Sequence, residues 1–154
     1  MPRGWLVAFV VLSSCGEDRI DATKTANAIR AGLAAHELSL ATLTCPSRPY
    51  KTGDTFACTG ATTEQQPVTV NVTQRDGSGN LEWALDGMEL HASKIRSEIL
   101  PKVGSGFELS CPHEVAVVKL GDWTRCTIKK DGQTAHLDVK VDDVQGNESY
   151  KVEQ

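Results

Sequence analysis

The chain lacks any long run of one charge. Its 16 Lys and Arg and 20 Asp and Glu are interspersed through 154 residues. A nucleic-acid footprint is a basic patch or stripe, so no nucleic-acid partner is expected. Polybasic attraction to anionic lipid has no basis in the sequence either. The apolar run from Trp5 to Leu12 falls well short of the about 20 residues that a membrane-spanning helix needs. No serine sits in a Gly-x-Ser-x-Gly elbow. There is no phosphate-cradling glycine loop and no His-Glu-x-x-His. No two cysteines have the close spacing that structural zinc sites favour, and none form the Cys-x-x-Cys of a redox pair. The stretch Asp76-Gly77-Ser78-Gly79-Asn80 lacks the register and closing glutamate of a calcium-binding loop, and reads as a hairpin turn. No metal or cofactor is expected, and the chain is not read as an enzyme.

What is present begins with an address. Met1-Pro2-Arg3, the apolar run and then Leu12-Ser13-Ser14-Cys15 describe a secretory signal. A leucine three residues before a cysteine, with small residues between, resembles the bacterial lipobox. The resemblance implies cleavage after residue 14 and a diacylated Cys15 as the mature N-terminus. Cysteine arithmetic agrees: of five cysteines, acylation removes one and leaves an even number for disulfides. The expected address is the cell envelope, facing the periplasm where an outer membrane exists. The membrane is reached through acylated Cys15. Without residues 1–14 the chain keeps 15 basic and 20 acidic side chains, a net charge of −5.

The mature chain is written twice. Cys45-Pro46, a loop and Gly53-Asp54-Thr55-Phe56-Ala57-Cys58 recur as Cys111-Pro112, a loop and Gly121-Asp122-Trp123-Thr124-Arg125-Cys126. An offset of 66 aligns Ala22, Ala26, Ile29 and Leu33 with Met88, Ala92, Ile95 and Ile99. Both sets step by four, three, four, one face of a helix. A two-residue insertion before the turn moves the offset to 68, and one more residue takes it to 69, where Val68, Val70 and Val72 meet Leu137, Val139 and Val141. At that offset Trp83 meets Val152.

Each unit therefore reads as a helix, about 18–36 and about 86–100, followed by short strands. Asp18 and Asp86 are expected N-caps, and Pro101 is expected to stop the second helix. Strands are expected at about 55–59, 68–74, 123–129 and 136–144. The strands at about 68–74 and 136–144, one in each unit, alternate as a half-buried sheet does. The fold class is α+β: two tandem repeats, each one helix packed on a small antiparallel sheet with one internal disulfide. The expected divisions are 1–14 for the signal, 15–84 and 85–154 for the repeats. A core of about 70 residues supplies only about 3–5 kcal/mol. A disulfide closing a loop of about 15 residues adds about 3 kcal/mol. Four cysteines allow three connectivities. The repeat favours Cys45–Cys58 and Cys111–Cys126, one staple per unit.

These motifs resemble a family of secreted actinobacterial domains of unknown function, found often in lipoproteins. The pattern is a cysteine-proline step, a Gly-Asp turn, a second cysteine, alternating valines and a terminal aromatic. The first unit supplies Cys45-Pro46, Gly53-Asp54, Cys58, Val68, Val70, Val72 and Trp83. The second supplies Cys111-Pro112, Gly121-Asp122, Cys126, Leu137, Val139 and Val141, with Val152 at the aromatic position. The resemblance implies an envelope lipoprotein and no particular activity.

The histidines His36, His91, His113 and His136 fall opposite Lys102, Thr25, Ser47 and Pro67, so none is duplicated. Gly53-Asp54 and Gly121-Asp122 read as turn chemistry. Trp83 is expected beneath a helix, and Trp123 exposed beside its turn. The expected contact surface is Gly53, Asp54, Gly121, Asp122 and Trp123, binding an unknown envelope protein or small ligand. Two other readings stand beside this one. An envelope enzyme or enzyme inhibitor would use His113 and Glu114. A carrier would hold an apolar ligand between helix and sheet.

Overall fold

The structure is a computed structural model that describes residues 10–11 and 19–153. The chain divides into two compact units, with the boundary between Asp86 and Gly87.

The first unit holds one helix and one sheet. Helix α1 spans Ala22–Ala34. It starts where the Asp21 carboxylate accepts from the Lys24 amide at 2.9 Å, satisfying one of the orphan donors of the first turn. Ala26, Ile29 and Leu33 line its buried stripe. The strands are β1 (Val10–Val11), β2 (Leu40–Thr44), β3 (Thr55–Thr62), β4 (Pro67–Gln74) and β5 (Asn80–Leu85). They lie antiparallel in the order β1-β5-β4-β3-β2. Phe56, Cys58, Val68, Val70, Val72, Leu81 and Trp83 are buried. Thr55, Ala57, Thr59 and Asn71, alternating with them, are exposed. Each buried aliphatic contributes about 1.5–3 kcal/mol relative to exposure. Trp83 lies beneath the helix: a Cβ on Gly32 of α1 would stand 2.6 Å from its six-membered ring. Only glycine permits that approach.

The second unit carries β6 (Met88–His91), helix α2 (Ala92–Val103), β7 (Glu108–Ser110), β8 (Val115–Val118), β9 (Trp123–Lys130), β10 (Gln133–Val141) and β11 (Glu148–Glu153). One sheet runs β11-β10-β9-β7, and β6 pairs with β8 in a separate ribbon. Ile95, Ile99, Leu109, Ile128, Leu137, Val139 and Val141 form its core, with Leu90, Ala116 and Val118 from the ribbon.

Both cysteine pairs are disulfides, Cys45–Cys58 and Cys111–Cys126. The register explains them. Thr44 pairs with Thr59 and Ser110 with Thr127, so the next residue along each ladder meets a cysteine directly opposite. The Cα separations are 4.3 and 4.2 Å, close to the about 4.5 Å of a non-hydrogen-bonded antiparallel pair.

Several local expectations are corrected. The N-cap of α1 is Asp21; Asp18 lies outside the described residues. Asp86 is not the N-cap of α2: β6 intervenes, the helix begins at Ala92 and its N-cap position is His91. Met88 is therefore a strand residue and not part of the helix face. Pro101 does not stop α2, which continues to Val103. Proline lacks one helical donor, but Leu100 and Val103 pack on the core and hold the last turn. The strand alignment also shifts. Cys58 pairs with Val70 and Cys126 with Leu137, so the second hairpin is one residue shorter and the offset falls to 67 instead of rising to 69. Trp83 lies opposite Val72, and Tyr150 opposite Val139. The aromatic at this place in the second unit is Tyr150, not Val152.

Candidate functional site

The Gly-Asp steps are turns, and both are stitched to a strand end. Asp54 N donates to Lys51 O at 3.0 Å, and Gly53 N donates to Gln74 O at 2.7 Å. In the second unit Asp122 N donates to Lys119 O at 3.2 Å, and Gly121 N to Val141 O at 3.0 Å. Gly53 has φ of 78° and Gly121 of 84°. A positive φ at the third position is what a type II turn demands, and glycine adopts it without cost. Glycine recurs there because the turn needs it.

Asp54 is drawn inward. Its Oδ2 accepts from Gln74 Nε2 at 3.3 Å and faces Arg48 Nε at 3.5 Å. Gln74 is fully buried. Its Oε1 accepts from the Lys51 amide at 2.8 Å, and its Nε2 donates to Pro49 O at 3.0 Å. This one amide ties the loop between Cys45-Pro46 and the turn to β4. Sequence reasoning missed it, although a glutamine ending the inward series Val68, Val70, Val72 was the visible signal.

Trp123 is 50% exposed and Leu120 46%. Both flank the second turn, and Val144, 37% exposed, stands in the turn that follows β10. These side chains gather at one end of the sheet, because Gly121 is bonded to the last residue of β10. Lys140 Nζ lies 5.1 Å from the Trp123 ring centroid and 2.8 Å from Asp142 Oδ1. That is a cation–π contact, and it leaves much of the ring open. Lys140 and then Ser149 hold the Asp142 carboxyl below its usual range. The Asn147 amide does the same for Asp143. The apolar tip therefore sits near two carboxylates whose ionised forms are favoured by their hydrogen bonds. In the first unit the flanking residues are Thr52 and Thr55, both exposed.

The remaining polar groups of the second unit serve its frame. Arg125 grips Asp138 with two bonds, 2.7 and 2.8 Å, and reaches Glu153 at 2.6 Å. The Tyr150 hydroxyl lies 2.7 Å from Glu98 Oε2 and 2.5 Å from Glu148 Oε2. Burial, then these carboxylates, push its pKa up. Glu114 pairs with Arg96, and its carbonyl accepts from the first amide of α2 at 2.9 Å. It is committed to the helix start, and His113 beside it is half-buried. Among the described residues no group of three or more His, Cys, Asp or Glu is arranged to hold a metal. An open depression of about 530 Å³ lies at the β9–β10 hairpin, lined by Glu108, Lys129, Lys130, Asp131 and Gln133 among others. Its polar lining and its place at a hairpin differ from an apolar cavity between helix and sheet. Cys15 and the residues around it lie outside the described residues.

A domain of unknown function, DUF4333, is found at residues 4–79. The match takes in the first unit as far as the turn before β5, including Gly53, Asp54 and both members of the Cys45–Cys58 bridge. No curated protein and no solved structure is matched.

Proposed function

We propose that the protein is a lipid-anchored, non-enzymatic interaction module of the bacterial cell envelope, built from two copies of one helix-on-sheet unit. The second copy's turn presents the contact surface. The observation that carries this reading is the exposure of Trp123 and Leu120 on a turn whose backbone does not need them. The first unit makes the same turn with Thr52 and Thr55. Clustered apolar side chains at a surface mark contact sites, and tryptophan is a common anchor of such contacts.

The duplication is supported by detail below the level of fold. Asp76 Oδ1 accepts from the amides of Ser78 and Asn80, as Asp143 Oδ1 does from Gln145 and Asn147. Trp83 packs on Gly32, and at the offset positions Tyr150 donates to Glu98. An indole replaced by a phenol is matched by a glycine replaced by an acceptor. Two disulfides support export, since such bonds persist in oxidising compartments. The match at residues 4–79 supports the resemblance to a domain family of unknown function, and the Leu12-Ser13-Ser14-Cys15 step supports the lipoprotein reading.

A photo-crosslinking residue placed at position 123 in the native envelope tests the contact surface, with position 55 as the internal control. A discrete adduct from 123, absent from 55 and lost on Leu120→Ala, is the expected result. Equal labelling from both positions would overturn the reading.

A further inference from the structure

We infer that the Trp123 tip takes the basic turn end of the first unit in another molecule of this chain, a step that rests on the contact-surface reading above. The observation behind it is a reversal of charge at matched places. Arg75 N donates to Asn80 O at 2.8 Å in the turn after β4, and Asp142 N donates to Asn147 O at 2.8 Å in the turn after β10. The side chain there is a guanidinium in the first unit and a carboxylate in the second. Arg48 O accepts from the Ile20 amide at 2.7 Å as the chain enters α1, and Glu114 O accepts from the Ala92 amide at 2.9 Å where α2 begins. A basic residue again answers an acidic one. The shared aspartate completes the contrast. Asp54 is drawn inward to Gln74, whereas Asp122 is exposed, because Val141 stands where Gln74 does and offers no amide.

The two ends are complementary. Arg48, Lys51 and Arg75 are exposed. Asp54 and Glu82 are the more buried members of their ion pairs with Arg48 and Arg75, so the cations face the water. Pro46 and Pro49, in the same loop, are exposed and uncharged. The tip offers Trp123, Leu120 and Val144. Around them Asp122, Asp142 and Asp143 outnumber the lysines nearby, Lys119 and Lys140. A guanidinium stacks on an open indole face and is held by carboxylates through charge-assisted hydrogen bonds. Complementary charge of this kind selects the partner and its orientation. A contact between two different patches is heterologous, so molecules associate head to tail.

The test is charge exchange in the native envelope, with the full chain carried in two tagged forms and co-capture of one by the other as the readout. Lys51→Glu with Arg75→Glu turns the first unit's end acidic. Asp122→Lys with Asp142→Lys turns the tip basic. Each pair alone sets like charges against each other and is expected to cut co-capture by about tenfold or more. One chain of each kind, expressed together, again meets with opposite charges and is expected to recover co-capture to within about twofold of the parent. Unchanged co-capture by either pair, or no recovery in the mixture, would overturn the association. The photo-crosslinker at position 123 reads the same contact with every charge in place. An adduct of two chains, joined to residues 46–52 of the second, is expected. A link within one chain, or to a different protein, sinks the self-association; the second result leaves the contact-surface reading standing. No adduct at all sinks both.

Discussion

At the scale of the residue, the buried amide of Gln74 does the work that a hydrophobic side chain does elsewhere. It ends an inward valine series, yet makes three contacts, to Lys51 N, Pro49 O and Asp54 Oδ2. Val141 occupies the matching place in the second unit and is equally buried. Gln74→Val therefore keeps the strand and removes only the polar stitching. It leaves a loop donor and a carbonyl without partners, each costing about 1–3 kcal/mol when buried. The expected outcome is a loss of stability of that order, read as a lower urea midpoint with an unchanged m-value. Proton resonances of Lys51 to Thr55 should shift more than those of the helix.

Asp138 gives the pH dependence. Its carboxyl is held below the usual range first by the hydrogen bonds from Arg125, then by the charges of Arg125, Lys151 and His136. A depressed folded pKa stabilises the protein above the unfolded value of about 3.9 and is lost as pH falls through the folded value. Asp138→Asn is expected to lower the urea midpoint at pH 7. The gap between variant and parent should close below pH about 4. A gap constant from pH 7 to pH 2 would show that the ion pair contributes nothing.

At the scale of the element, the sequence disclosed faces better than pairings. The helix stripes Ala26, Ile29, Leu33 and Ala92, Ile95, Ile99 were legible, because a 3.6-residue period is local. The valine alternation of β4 and β10 was legible for the same reason. The β6–β8 pairing was not: the apolar run from Val115 was visible, but Met88 read as helix and its strand forms only by meeting Val118. The offset between the valine strands of the two units also differs from the expected one. Alternation fixes which face a side chain takes, but a slip of two residues preserves every face. Sliding from 67 to 69 thus kept all the valines inward and hid Tyr150 behind Val152. The turn chemistry was readable from Gly-Asp alone, whereas Gln74 needed the loop folded against it. Leu120 and Val144 joined Trp123 only once the two turns were side by side.

The staples belong to this scale too. Each bridge joins strands at a ladder position already opposed, across sequence separations of 13 and 15. Loops of this length give about 3 kcal/mol in the chain-entropy account, comparable to what so small a core supplies. Replacing Cys45 and Cys58 together by serine should lower stability by about that amount. So should replacing Cys111 and Cys126. Thermal unfolding with and without reductant measures it: the parent should respond to reductant, and the quadruple variant should not.

For the whole molecule, the proposed anchor would decide where everything else acts. The chain from Cys15 onward carries a net charge of −5, so an anionic membrane surface repels it. No described helix is long and apolar enough to cross a membrane. In the proposed reading retention therefore depends on the acyl chains of Cys15, each buried CH₂ contributing about 0.8 kcal/mol. Cys15→Ser is expected to move the protein wholly to the soluble envelope fraction. The parent should stay membrane-bound in both low and high salt, because burial of acyl chains is not screened as surface charge is. Release of the parent by salt, or continued binding of Cys15→Ser, would transfer the anchoring role to another surface. The exposed Trp123–Leu120 tip would be the first to examine, by the same fractionation of a Trp123→Ala, Leu120→Ala chain.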